Sequence, residues 1–76
     1  MPANAPLSAR ELDVLRLLAI GYGSKQVASA LSISPKTVES HRSRIMLKTG
    51  VTSLAHLVHY AIRHQIVEIQ EWEAIP

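Results

Sequence analysis

The stretch PKTVESHRSRIMLKT, residues 35–49, constrains the fold more than any other part of the chain, because its polarity suits a coil while its two ends specify a helix. Ser34 can accept a backbone N–H as N-cap, Pro35 has its φ already set for the first helical position, and Gly50 can take the left-handed C′ conformation. These signals frame about four turns over Pro35–Thr49. At about 100° per residue, Val38, Ile45 and Thr49 gather on one side of such a helix, with His41 and Arg42 flanking them. Lys36, Glu39, Ser40 and Ser43 gather opposite, and Thr37, Arg44 and Lys48 fall on a flank between. One face packs and the other is left to recognise something.

The remaining segments read as helices built to pack. Ser8 with Glu11 makes a capping box that opens a first helix, whose Leu12, Leu15 and Ala19, with Val14 and Leu18, form a wide apolar stripe closed by Gly21 and Gly23. A short second helix over about Ser24 to Leu31 turns Val27, Ala28 and Leu31 inward, and Ile33 plugs the turn that follows. A fourth helix, capped by Thr52 or Ser53, carries Leu54, Leu57, Val58, Ala61 and Ile62 at spacings of three and four. The expected organisation is a leader or linker end over 1–6, one folded unit over 7–67, and an acidic tail over 68–76 that extends as coil or a short strand.

Composition narrows the class. The chain has 76 residues, one domain's worth and too few for a deep catalytic cleft beside a core. Its 47% apolar content includes no Phe, which points to aliphatic helix packing and an all-α fold, a four-helix bundle-like domain. Cysteine is absent, which removes disulfides, thiolate metal sites and thiol nucleophiles. No apolar run approaches the ~18 residues that span a bilayer, and MPANAP has neither the basic nor the apolar region of a signal peptide, so a cytoplasmic chain without membrane contact is expected. Net charge is +2, but residues 1–64 hold eight Lys and Arg against three acids, a surplus of +5, while Glu68, Glu71 and Glu73 follow. Within 24–50, Lys25, Lys36, Arg42, Arg44 and Lys48 stand against Glu39 alone, a local +4 that attracts a polyanion.

A short helix, a tight turn and a longer polar helix together make a helix-turn-helix, whose second helix enters the major groove of DNA. Ala28 suits the close crossing of the two. The segment LSARELDVLRLLAIGYGSKQVASALSISPKTVESHRSRIMLKTGV resembles the DNA-binding domain of LuxR/FixJ/NarL-type (GerE-like) bacterial transcription regulators, and LVHYAIRHQIV resembles that family's fourth helix and ending. The resemblance covers about 7–67 and rests on TVESH, on RE with VL in helix one, and on GV after the recognition helix, all in register. The chain departs from the pattern at Gly23-Ser24, where relatives commonly have Ser-Asn, at Thr49 in place of an aliphatic residue, and at Leu54 and His56, where many relatives carry Arg and Glu. Leu47, Ile20 and Leu54 then offer extra apolar surface for a partner.

Donor and acceptor chemistry assigns roles on the third helix. Lys36 can donate to guanine O6 or N7, Glu39 can accept from cytosine N4, and Ser40 and Ser43 serve either way. The resemblance points to the same four positions as base readers, although relatives often place Lys where Glu39 stands. The competing expectation for Glu39 is solvent exposure or an internal pair with Arg42 or Lys36. Ser24, Lys25, Thr37, His41, Arg44 and Lys48 are the expected sugar–phosphate contacts. The resemblance also implies a homodimer on DNA through the fourth helix, with Leu54, Leu57, Val58 and Ala61 as its interface, a nucleoid-associated location, and RNA polymerase as a further partner.

Other chemistries fit poorly. His56, His59 and His64 share one helix region without a local carboxylate or cysteine, so a zinc site lacks ligands, and no metal or other cofactor is expected. Ser40 and His41 are adjacent but project differently, and Asp13 is the sole Asp, so a catalytic triad is not formed and the chain is not expected to be an enzyme. The leading expectation is a sequence-specific double-stranded DNA-binding regulator, freestanding or the output domain of a longer protein. The rival is a helix-turn-helix-derived interaction module that pairs with another LuxR-type regulator and inhibits it.

Overall fold

The computed structural model describes residues 6–67, and the expected acidic tail over 68–76 and all of the expected leader but Pro6 lie outside the described residues. Four helices follow one another: α1 (Ala9–Ala19), α2 (Ser24–Leu31), α3 (Pro35–Thr49) and α4 (Leu54–Arg63). No strand occurs among the described residues, so the fold is all-α.

Cap chemistry sets the helix ends. Ser8 Oγ accepts the Glu11 N–H at 3.1 Å while Glu11 Oε1 accepts the Ser8 N–H at 2.8 Å, which satisfies two orphan donors reciprocally at the start of α1. At its other end, the Tyr22 N–H donates to the Leu17 carbonyl and the Gly21 N–H to the Leu18 carbonyl, with Gly21 at φ +110°. That paired closure demands a left-handed residue, which glycine supplies without strain. α2 has no side-chain N-cap, since Gly23 stands there; Gln26 Oε1 instead takes up the Gly23 N–H at 2.8 Å. α3 begins and ends as its sequence specifies: Ser34 Oγ accepts the Thr37 N–H at 3.1 Å, Pro35 occupies the first position, and Gly50 closes the helix at φ 76°. Ser53 rather than Thr52 caps α4, accepting the His56 N–H at 3.1 Å.

α1 packs against each of the other three helices, and α2 packs on α3. The core is wholly aliphatic: Val14, Leu15, Leu18 and Ala19 from α1, Val27 and Ala28 from α2, Val38 and Ile45 from α3, Leu57 and Ala61 from α4, closed by Val51 and Val67. Each large side chain removed from water in this way contributes about 1.5–3 kcal/mol, which is what holds four short helices together. Leu31 and Ile33 are half-buried against this core, as expected of the turn between α2 and α3.

Two expectations are corrected by the helical phase. Leu12 is 36% exposed, because the buried face of α1 runs through Glu11, Val14, Leu15, Leu18 and Ala19, about 100° away from it. Leu57 and Ala61, expected at a dimer interface, are fully buried beneath α1, so they belong to the core. The outward surface of α4 is made instead by Leu54, 47% exposed, with Ala55 and His59 exposed and Val58 and Ile62 half-buried.

Candidate nucleic-acid interface

α3 is presented as a ridge by what lies beneath it. Val38 and Ile45 are fully buried, and Ala28, at 3% exposure, keeps α2 close without a bulky side chain between the helices. The remaining surface of α3 faces out: Lys36, Thr37, Glu39, Ser40, Ser43 and Arg44 are all exposed, as is Lys25 on α2. Among the described residues, none of Lys25, Lys36, Arg42 and Arg44 pairs with a carboxylate, so their charge is available to an external anion. His41 and Arg42 lie half-buried at the edges of the packed side. Leu47, 57% exposed in the last turns, adds an apolar side chain to the outer surface.

Several of the polar groups already have partners. Ser40 Oγ donates back to the Lys36 carbonyl at 3.2 Å, which leaves its lone pairs free to accept but engages its proton. Thr37 Oγ1 lies 2.9 Å from Ser34 Oγ, within the cap of the helix. Ser24 Oγ donates to Glu39 Oε1, joining the first residue of α2 to the outer face of α3. Glu39 is therefore held by Ser24 rather than by Arg42 or Lys36, and the hydroxyl expected on phosphate is turned to a carboxylate instead. His41 Nδ1 is buried without a hydrogen-bond partner among the described residues, which leaves Nε2 as its atom for an outside contact.

Lys48 departs furthest from expectation. Its Nζ donates to Glu11 Oε1 at 2.7 Å, with the Lys48 side chain 16% exposed and the Glu11 side chain 3% exposed. Burial pushes the Glu11 carboxyl up, but the Lys48 hydrogen bond and charge together with the Ser8 bonds outweigh it and hold the pKa below its ordinary 4.5. A lysine expected on the DNA backbone is thus the counter-ion of a buried glutamate, tying the end of α3 to the start of α1. The sequence carried one sign of this: Glu11 lies in phase with Val14, Leu15 and Leu18, so a carboxylate on the apolar face of α1 required a cation from elsewhere. The Ser24–Glu39 bond had no comparable signal, since both residues are ordinary at an exposed helix surface.

A second surface lies on α4. Ala55, Val58, His59 and Ile62 line a shallow apolar groove of about 370 Å³. Beside it, His56, His59, Tyr60, Arg63 and His64 line a smaller concavity of about 190 Å³, with the Tyr60 and His64 rings 4.2 Å apart. No helix among the described residues is long and apolar enough to cross a membrane.

Comparison with known proteins shows the family. The family model GerE, described as "Bacterial regulatory proteins, luxR family", matches residues 5–61. The oxygen regulatory protein NreC of Staphylococcus aureus strain JH9 is 48% identical over 62 residues, covering 82% of this chain and 29% of NreC. NreC of strain USA300 matches to the same extent. The chain spans about 29% of the length of these curated relatives. No solved structure matches it significantly.

Proposed function

This chain belongs to the luxR family of bacterial regulatory proteins, a family of helix-turn-helix DNA-binding transcription regulators, and from that premise we propose that its residues 7–67 bind double-stranded DNA sequence-specifically with α3 in the major groove. The observation that carries the reading is the two-sidedness of α3: Val38 and Ile45 fully buried on a helix that packs against α1 and α2, and an opposite face of exposed polar groups whose cations pair with no carboxylate among the described residues. On that face Lys36, Glu39, Ser40 and Ser43 read base edges, Lys36 toward guanine and Glu39 toward the exocyclic amine of cytosine. Lys25, Thr37, Arg44 and the Nε2 of His41 meet the sugar–phosphate backbone and fix the register. Ser24 and Lys48 leave the phosphate set, because each donates to a carboxylate of the domain itself.

Two copies pair through α4 on a two-half-site operator, now through Val58, Ala55 and Ile62, which line the outward groove, and the exposed Leu54 of the same helix. A small apolar patch of this kind supports a pair that forms mainly on DNA, with its recognition helices about one helical turn, roughly 34 Å, apart. The domain works as a freestanding regulator or as the output domain of a longer protein in the bacterial cytoplasm, where it has RNA polymerase as a further contact. Salt-titrated binding to a mixed duplex tests the central claim. A steep fall of affinity with salt is expected of phosphate contacts; a chain that ignores DNA at low salt but associates with a second luxR-type regulator is the rival interaction module.

A further inference from the structure

Glu39 poses a physical problem on a DNA-facing helix. A carboxylate near the duplex is repelled by phosphate, and an exposed glutamate with three rotatable side-chain bonds loses rotamer freedom when it contacts a single base. The structure supplies a restraint: Ser24, the first residue of α2, donates its hydroxyl to Glu39 Oε1. Ser24 is half-buried and Glu39 exposed, so the bond arises from the more firmly placed partner and reaches outward. Only one carboxylate oxygen is engaged, which leaves Oε2 to accept from outside. No carboxylate–cation pair competes for Glu39 among the described residues.

We propose that Ser24 is a positioning residue for base recognition, which orients the Glu39 carboxylate so that its free oxygen meets an exocyclic amine, that of cytosine, in the major groove. This rests on the reading of α3 as the recognition helix. The same bond explains why a hydroxyl at the α2 N-terminus does not go to phosphate: a donor spent on Glu39 partly screens the negative charge and keeps it off the backbone path. With the carboxylate already placed, less rotamer freedom is lost on binding, and the discrimination between cytosine and other bases rises accordingly.

The experiment is selection of preferred sites from a random duplex pool, followed by binding measurements on duplexes varied at the pair Glu39 reads, for wild type, Ser24→Ala, Ser24→Thr, Glu39→Ala and the Ser24→Ala/Glu39→Ala double variant. Glu39→Ala should lower the preference at that pair by about 10- to 100-fold, the range of one good base contact. Ser24→Ala should lower it by about 3- to 10-fold with non-specific affinity and melting temperature unchanged, Ser24→Thr should restore it, and Ser24→Ala should add nothing once Glu39 is alanine. If Glu39→Ala alters the preference while Ser24→Ala does not, or if Ser24→Ala keeps its effect in the Glu39→Ala background, the positioning role is overturned and the recognition face stands. If neither variant alters the preference, Glu39 is not a reader and the inference falls with that part of the proposed function. A fall in melting temperature for Ser24→Ala matched by an equal loss of binding to every duplex makes Ser24 structural and also overturns the proposal.

Discussion

Removing the Lys48 ammonium tests whether this lysine serves the fold or the DNA. Take Lys48→Met, which keeps the length and apolar stem of the side chain but leaves Glu11 without its cation. Breaking a buried ion pair by deleting one partner costs about 3–5 kcal/mol, whereas an exposed pair is worth at most about 1 kcal/mol. With Glu11 3% and Lys48 16% exposed, the pair lies between these limits, and the substitution should cost about 2 kcal/mol. A domain of this size loses roughly 4–8 °C in Tm per kcal/mol, so thermal unfolding followed by circular dichroism should shift down by about 10 °C. Glu11→Gln keeps an acceptor for the Ser8 N–H, because glutamine also closes a capping box, and removes only the charge. Its cost should be about 1 kcal/mol, since the lysine can turn its ammonium to water. The double variant should then be less destabilised than the two costs added, with a coupling of about 1–2 kcal/mol. The salt dependence of DNA binding should be the same for Lys48→Met and wild type. A Tm shift under about 2 °C, additive costs, or a salt slope lowered by about one unit would each refute the argument, the last by returning Lys48 to the phosphate contacts.

Three other outcomes are expected. Lys25→Ala should weaken binding to every duplex alike and shallow the salt slope by about one unit, because a phosphate contact carries no base information; isotherms at several salt concentrations check it. Leu54→Glu should leave the helical content intact, Leu54 being 47% exposed, yet abolish cooperative binding to a two-half-site duplex, as sedimentation with and without that duplex will show. Because Glu11 titrates lower in the folded state than in the unfolded chain, its contribution is complete above about pH 4.5 and is lost as pH falls through the folded value. Denaturant unfolding from neutral pH down to about pH 3 should therefore show an acid-side loss that Glu11→Gln flattens.

The sequence exposed what is local and hid what is mutual. Three of the four helix starts followed from chemistry within three residues: Ser8 with Glu11, Ser34 before Pro35, and the Thr52-Ser53 pair before Leu54, of which Ser53 proves to be the cap. The outward face of α3 followed from its period, because Val38 and Ile45 fall together on the side opposite Lys36, Glu39, Ser40 and Ser43, although Leu47 breaks the pattern in the last turns. On α4 the five apolar positions span too wide an arc for one neighbour, so the period alone could not say that α1 takes Leu57 and Ala61 and leaves Val58 and Ile62 outward. The same limit concealed the destinations of Lys48 and Ser24. Their partners lie 37 and 15 residues away, and only the crossing of helices brings them within reach.

α3 is anchored by little: Val38 and Ile45 are its only fully buried side chains, and helices of its length are marginal alone in water. Its outward polar face therefore exists only while α1 and α2 hold it, so on the proposed function DNA binding and folding are thermodynamically linked. A duplex that binds the native chain and not the unfolded one adds about 2.7 kcal/mol at a free concentration a hundred times its Kd, a large share of the 5–15 kcal/mol typical of a whole domain. Heat unfolding thus becomes a ruler for sequence preference: of two duplexes at equal concentration, the one with the better half-sites should leave the domain melting higher.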